Sequence, residues 1–130
     1  MSIQFQPREG SILICDFDGY RKPEICKRRP VVVLASFPNK LCIVIPLSTT
    51  EPWTVQKWHY NLRINPPLPK PYDSEYCWAK GDLVTHVSWD RLRLPFKGKD
   101  ANGKRKYVSY CVDANELEAL RICVLEAISS

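Results

Sequence analysis

The sequence predicts a mostly β protein, a small, curled antiparallel sheet closed by one C-terminal helix. Two observations carry this prediction: many short apolar segments separated by turn residues, and one amphipathic segment near the C-terminal end. The chain has 130 residues, of which 45% are hydrophobic, and this is enough to form a core. We therefore expect a single domain over residues 1–130.

The first three predicted strands are apolar and short. Ser11–Phe17 is the first, and Pro30–Phe37 and Leu41–Leu47 follow as runs rich in Val and Ile. The sequence FPNK between the last two is typical of a turn, so these runs predict an antiparallel hairpin.

Residues 51–72 form a long, proline-rich insertion in this pattern. Within it, Val55–Ile64 alternates between apolar and polar residues and predicts a half-buried strand. Tyr60 belongs to its buried face and His59 to its exposed face. The segment Asn65–Tyr72 holds four prolines and predicts an extended loop.

Short strands are also expected after this insertion. Glu75–Lys80 and Leu83–Val87 are two candidates, or one bent strand broken at Gly81. Residues 88–92 suggest one helical turn. Residues 99–104 contain Asn-Gly and predict a hairpin tip before a strand over Tyr107–Val112.

The C-terminal segment predicts the one helix. Asp113 followed by Glu116 is the pattern of an N-cap and its partner. Apolar residues then recur on one helical face, which we expect to pack on the sheet. They are Leu117, Leu120, Val124 and Ile128.

Charge is distributed unevenly along the chain. The net charge is +5, but residues 113–130 carry four acids and one arginine, a balance of −3, so residues 1–112 carry +8. A basic body suits a polyanion such as RNA, although the same charge also serves to keep a surface soluble.

Several classes of protein are disfavoured by the sequence. No apolar run approaches the roughly 18 residues of a membrane span. The first residues, MSIQFQPREG, lack a signal-peptide layout, so we expect a cytoplasmic protein. The six cysteines form no CxxC pair, so we expect reduced thiols, no metal site and no cofactor.

A phosphate site is predicted at one end of the central hairpin. Arg29 stands at the start of one strand, after Lys27 and Arg28, and Ser48 and Thr49 stand at the exit of the next. These ends are neighbours in an antiparallel pair, so a guanidinium would lie beside two hydroxyls, which together suit a phosphate. The alternative is that Arg29 is only a solvated charge at a sheet edge.

Lys80 and Asp82 are candidates for proton transfer. Two residues apart in a strand they would share a face, and RNA cleavage without a metal needs a base, an acid and cations. A surface ion pair is the alternative. His86 follows four residues after Asp82, as a catalytic or a surface histidine. Trp53 is one of several aromatics near the insertion that suit base stacking or core packing.

The order of these residues resembles the MazF/PemK/Kid family of toxin endoribonucleases. The resemblance extends from about residue 8 to about residue 128. It is carried by Gly10-x-Ile12…Asp16, Glu24, Arg29-Pro30-Val31-Val32-Val33-Leu34, Ile45-Pro46-Leu47-Ser48-Thr49 and Lys80-x-Asp82. It implies an SH3-like barrel with a C-terminal helix, a homodimer, and a cognate antitoxin as partner.

The resemblance also implies an activity and a set of roles. Members cleave single-stranded RNA at short sequences without a metal, through a 2′,3′-cyclic phosphate. Arg29, Ser48 and Thr49 match the family's arginine and hydroxyl pair, and Glu24 matches a loop acid. Asp82 matches the proposed base, and Lys80 falls where one branch has an arginine as the proposed acid.

This sequence departs from the family pattern at three points. Lys80 replaces that arginine, Pro23 replaces a loop histidine, and Thr85 stands where a second arginine is expected. Two other functions therefore stay open. One is a toxin of the same fold that binds a protein such as gyrase, as CcdB relatives do. The other is an inactive RNA-binding module.

Overall fold

Ten strands, two single-turn 3-10 helices and one α-helix make up the fold in the computed structural model, which describes residues 2–130. The strands are β1 Ser11–Cys15, β2 Arg29–Phe37, β3 Leu41–Ser48, β4 His59–Arg63, β5 Tyr76–Lys80, β6 Thr85–Ser88, β7 Leu92–Arg93, β8 Phe96–Lys99, β9 Arg105–Tyr107 and β10 Tyr110–Cys111. The 3-10 helices are Gly81–Leu83 and Trp89–Arg91, and the α-helix is α1 Ala114–Ile128.

Eight of these strands form one antiparallel sheet in the order β10-β1-β2-β3-β5-β4, with β6 on β3 and β7 on β1. The β8 and β9 strands form a separate hairpin. The predicted fold class, a mostly β antiparallel fold with a C-terminal helix, is confirmed. Within residues 2–130 no strand pair joins β4 to β10, so hydrogen bonding does not close the sheet into a full ring.

The β2–β3 hairpin is the centre of the sheet, as the two aliphatic runs predicted. Its register places Val31 opposite Pro46. The turn uses Lys40 with a φ of 67°, and the strands run from this turn to the open end that holds Arg29 and Ser48.

The bent strand expected around Gly81 is present as two strands on the same partner. β5 pairs with the end of β3, with Leu47 opposite Ala79, and β6 pairs with its beginning, with Val44 opposite Thr85. Gly81 lies in the turn between them. A Cβ there would lie 2.5 Å from the carbonyl oxygen of Cys123, so the helix can approach this turn only because residue 81 has no side chain.

The strand alternation separates two cores, one on each face of the sheet. The first core lies under α1, and its fully buried members include Val32, Ile45, Leu62 and Leu120. The second core lies on the opposite face and includes Val31, Val33, Val44 and Phe17. Burial on both faces explains why β2 and β3 are continuous aliphatic runs.

The helix begins as predicted and ends differently. The Asp113 carboxylate accepts the backbone N–H of Glu116 at 2.7 Å, and the Glu116 side chain reaches back to complete a capping box. Leu117, Leu120 and Val124 pack on the sheet. The prediction for Ile128 is wrong: this side chain is 72% exposed.

The α1 helix has 15 residues. No helix within residues 2–130 combines the length and the apolar character that a membrane crossing requires.

The predicted strand over Tyr107–Val112 is also wrong in part. It is two strands, because its two ends have different partners: β9 pairs with β8, and β10 pairs with β1.

Candidate active site

A pocket opens where the β2–β3 hairpin ends. Arg29 is the first residue of β2 and Ser48 the last of β3, and extending the register of Val31 and Pro46 by two residues places Arg29 opposite Ser48. The pocket has a volume of about 290 Å³. Its polar lining comes from Lys27, Arg28, Arg29, Ser48, Thr49 and Thr50. The structure therefore brings the predicted guanidinium and hydroxyls together.

The Arg29 side chain is half-buried where it lines this pocket. Its Nε atom is buried and has no hydrogen-bond partner among the described residues. Burial lowers the pKa of Arg29, and nearby Cys26 and Tyr72 oppose this shift. Arginine nevertheless stays protonated at neutral pH, so the pocket holds a partly desolvated cation with an unused donor. An anion bound in the pocket would offset this charge.

The hydroxyls of Ser48 and Thr49 complement this cation. Ser48 Oγ accepts the backbone N–H of Thr50 at 3.1 Å, which fixes the side chain and leaves its O–H proton available to donate. Thr49 is exposed at the rim. The arrangement offers an arginine fork and hydroxyl donors on one side of a cavity, a combination suited to phosphate oxygens.

The opposite wall of the pocket comes from the proline-rich segment and from β5. Pro71 and Tyr72 contribute from the loop, and the buried Cys77 contributes from the strand. Sequence reasoning found the cationic side of this pocket but not this wall, because a contact between distant loop and hairpin leaves no local pattern.

The prediction that Lys80 and Asp82 share a strand face is wrong. Lys80 ends β5, but Asp82 lies in the 3-10 turn Gly81–Leu83, where strand alternation does not apply. Lys80 still lies near the phosphate pocket: Trp78 is opposite Ser48, and Lys80 is two residues further on the same face. Diagonal neighbours of this kind are separated by roughly 7–8 Å.

Asp82 and Glu24 line a second cleft, which does not include Arg29. Glu24 Oε1 accepts the backbone N–H of Arg21 at 2.7 Å, so this carboxylate stabilises its own loop. Tyr20 and Thr85 also line the cleft. The acidic candidates thus line the second cleft, Lys27, Arg28 and Arg29 line the first, and Lys80 lines neither.

His59 is a residue that the sequence analysis misplaced. It was expected to be exposed, but its side chain is only 8% accessible, and Nε2 lies 4.0 Å from an Asp82 carboxylate oxygen. Its Nδ1 accepts the backbone N–H of Gln56 at 2.9 Å, which places the proton of the neutral ring on the nitrogen that faces Asp82. Burial lowers the pKa of His59, Asp82 raises it, and Lys80 lowers it. No signal in the alternation of β4 distinguishes a buried polar face from an exposed one.

Of the remaining predicted residues, His86 and Trp53 line neither cavity, whereas Lys27 and Arg28 line the phosphate pocket. The His86 side chain is exposed and lines neither the Arg29 pocket nor the Asp82 cleft. Trp53 is fully exposed in the loop before β4 and does not line the phosphate pocket. Arg28 lines that pocket while it pairs with Asp16 at 3.2 Å. Lys27 is exposed at its rim.

Comparison with known proteins agrees with this architecture. The family model described as PemK-like, MazF-like toxin of type II toxin-antitoxin system matches residues 8–109, which confirms the resemblance read from the motifs. The YifN protein of Escherichia coli K12 is 31% identical over 150 aligned positions, covering 100% of this chain and 97% of that protein.

Two solved structures show the same fold at low identity. MazF from Deinococcus radiodurans superposes with a TM-score of 0.63 at 14% identity, covering 98% of this chain and 100% of that one. A mycobacterial endoribonuclease solved in complex with its cognate antitoxin superposes with a TM-score of 0.62 at 14% identity, covering 95% of each chain.

Proposed function

Because the chain belongs to the PemK-like, MazF-like toxin family of type II toxin-antitoxin systems, we propose that it is an endoribonuclease that cleaves single-stranded RNA at the Arg29 pocket. The observation that carries this proposal is one pocket lined by Arg29, which forms no ion pair within residues 2–130, and by the hydroxyls of Ser48 and Thr49. These three residues would hold the scissile phosphate and stabilise the negative charge that develops on it.

The proposed reaction is an internal transfer at phosphorus that needs no metal. The 2′-hydroxyl loses its proton to a base and its oxygen bonds to phosphorus, while the bond from phosphorus to the 5′-oxygen breaks and that oxygen takes a proton from an acid. The products are a 2′,3′-cyclic phosphate and a 5′-hydroxyl. Asp82 is proposed as the base and Lys80 as the acid: Lys80 lies on the sheet face of Ser48, and Asp82 lies two residues further along, in the turn that follows β5.

The position of His59 next to Asp82 supports the role of Asp82. The neutral His59 presents its Nε2–H toward Asp82 at 4.0 Å, and a small approach of the two groups would let that N–H donate to the carboxylate and orient it. His59 is therefore proposed as a positioning residue. RNA contacts by Glu24, Lys27, Arg28, His86 and Trp53 remain predictions, and of these Lys27 and Arg28 have the strongest support because both line the phosphate pocket.

The experiment that tests the proposal maps RNA ends in the presence of EDTA. Wild type should produce discrete cuts with cyclic-phosphate and 5′-hydroxyl ends. Arg29→Ala should reduce the cleavage rate by roughly 100-fold or more, as loss of a charge-stabilising donor does elsewhere. Arg63→Ala is the matched control, because Arg63 is exposed on β4 and pairs only with the exposed Glu75. This control should cleave at the wild-type rate.

Other outcomes would assign a different function. Intact RNA with a wild-type protein that still binds RNA in a salt-sensitive way would indicate an inactive RNA-binding module. Intact RNA with toxicity that survives Arg29→Ala and Asp82→Ala would indicate a toxin that acts on a protein such as gyrase. Cleavage that depends on a metal would refute the proposed metal-independent chemistry, but the chain would still be an endoribonuclease.

Partners are proposed from the family. An antitoxin is expected, and the mycobacterial neighbour was solved with its own. A homodimer is also expected, and sedimentation equilibrium of the purified chain would test it.

A further inference from the structure

A second cationic cleft adjoins the Arg29 pocket on the far side of Pro71 and Tyr72. Both cavities are lined by Arg28, Pro71 and Tyr72, so these residues form a shared wall between them. The second cleft has a volume of about 210 Å³ and extends toward Arg93 and Phe96. The two adjoining cavities are together called the groove, and Tyr72 lies between them.

The lining of this groove carries only one sign of charge. Lys27, Arg28 and Arg29 line the first cavity, Arg28, Lys70 and Arg93 line the second, and no carboxylate lines either one. Arg28 is neutralised in part by Asp16, at 3.2 Å. Lys70 and Arg93 form no ion pair within residues 2–130. A row of unpaired cations beyond a phosphate pocket favours a ligand with several successive negative charges.

The loop that supplies Lys70 and Tyr72 is held in place by the core. Leu68 is 1% exposed and belongs to the core under the helix. The hydroxyl of Tyr110 donates to the carbonyl of Pro67 at 2.7 Å, and the Tyr72 N–H donates to the carbonyl of Pro69 at 3.0 Å. The prolines restrict the rest of the loop. Its groove-facing residues are therefore ordered before any ligand binds, which lowers the entropic cost of binding.

Aromatic rings occur along the same groove. Tyr72 is half-buried in the shared wall, and Phe96 is 45% exposed at the far end. Phe96 is supported by Tyr107, with ring centroids 5.9 Å apart, and by the guanidinium of Arg105, 5.7 Å from the ring. Alternation of cations and aromatic faces along a groove suits unpaired nucleotides, whose phosphates and bases need both.

We propose that this second cleft is the path of the RNA strand on one side of the phosphate held by Arg29, with Lys70 and Arg93 on backbone phosphates and Tyr72 and Phe96 beneath bases. The proposal rests on the proposed function. It gives the proline-rich segment a defined role, namely to divide the groove and to present a base-stacking ring next to the cleaved bond. Cleavage efficiency should then depend on nucleotides beyond the cut site.

The test compares RNA of two lengths with a variant that lacks both distal charges. The probes are 2′-O-methyl oligonucleotides, which cannot be cleaved, of about four and about twelve residues. Lys70→Gln/Arg93→Gln should bind the long probe roughly 10- to 30-fold more weakly at about 0.1 M salt, with the salt slope reduced by about 1.4, since each lost phosphate contact removes about 0.7. The short probe reaches only the Arg29 pocket, so the double variant should bind it with the same affinity as wild type.

Matched controls separate charge from stability. Lys40→Gln removes one cation at the turn of the β2–β3 hairpin, which lies roughly 25 Å from the pocket by strand length. This variant should bind the long and the short probe with wild-type affinity. Tyr72→Ala should weaken the long probe with no change in salt slope. If the double variant does not fold, Lys70→Gln alone carries the test, because Lys70 is an exposed loop residue.

The outcomes distinguish this proposal from the one it rests on. If wild type cleaves RNA but the double variant binds the long probe normally, the distal path is wrong and the nuclease stands. Equal weakening of both probes would also overturn it. If only binding of a polyglutamate peptide depends on Lys70 and Arg93, the cleft serves an acidic protein. If wild type neither binds nor cleaves RNA, both proposals fail.

Discussion

The contact between Gly81 and helix α1 gives the sharpest prediction about the fold. Replacing Gly81 with alanine adds a Cβ that would lie 2.5 Å from the carbonyl oxygen and 2.7 Å from the carbonyl carbon of Cys123, and 3.0 Å from the carbonyl oxygen of Trp58. All three neighbours are backbone atoms, and Gly81 also donates its N–H to the carbonyl of Trp58 at 2.8 Å. No side chain can rotate away to relieve the overlap.

The expected cost follows from that geometry. The helix must move by several tenths of an ångström away from the Gly81–Leu83 turn, and the core contacts of Leu120 must open with it. Overpacking of this kind costs roughly 2–3 kcal/mol, more than the 0.4–1 kcal/mol that Gly→Ala gains by restricting the unfolded chain. For a domain of this size the melting temperature should fall by roughly 6–15 °C.

Urea denaturation, followed by fluorescence, measures the free energy of unfolding. Gly19→Ala is the control, because a Cβ there meets no atom within 4 Å and only its φ of +93° opposes the change. The control should lose roughly 1 kcal/mol from backbone strain. A Gly81→Ala protein as stable as wild type would refute the claim that the helix rests on this turn.

Two further predictions follow from burial. Because burial lowers the pKa of His59 below its ordinary value near 6.5, the unfolded chain takes up a proton at higher pH than the folded one. Stability should therefore fall as pH drops from about 7 to about 5. His59→Gln should flatten this part of the urea-derived stability curve, and an unchanged slope in His59→Gln would contradict the assignment. Burial also raises the pKa of the Cys15 thiol to about 12, and it raises the pKa of the Cys42, Cys77 and Cys123 thiols. A thiol reagent at neutral pH should therefore react quickly with Cys26 and Cys111, and with the four buried cysteines only after denaturation. Rapid reaction of a Cys15-only variant, with the other five replaced by serine, would show that the β1 core opens readily.

The elements that the sequence predicted well are those with strong local signals. The aliphatic runs of β2 and β3, the turn between them and the Asp113 capping box all depend on residues within a few positions of one another. The expected meeting of Arg29 and Ser48 followed from one non-local assumption, that the hairpin is antiparallel, and this pairing is present.

The errors have a common physical cause: the burial of a side chain depends on which segment of the chain packs against it. The polar face of β4 gave no sign that His59 would be covered and set against Asp82. The apolar stripe of α1 gave no sign that Ile128 would be left exposed. The spacing of Lys80 and Asp82 suggested a shared face only if the strand continued, and the 3-10 turn at Gly81 ends it.

The sequence by itself therefore determined the fold class and the hairpin that carries Arg29, Ser48 and Thr49, because hydrophobic periodicity and turn chemistry are local. The order of its motifs carried the resemblance to the family. Only the tertiary structure decided that the cations gather on one groove, that Asp82 and Glu24 gather on another cleft, and that the proline-rich segment supplies a wall to the phosphate pocket. These features arise from contacts between segments far apart in the chain. Packing sets such contacts, and no local pattern in the sequence records them.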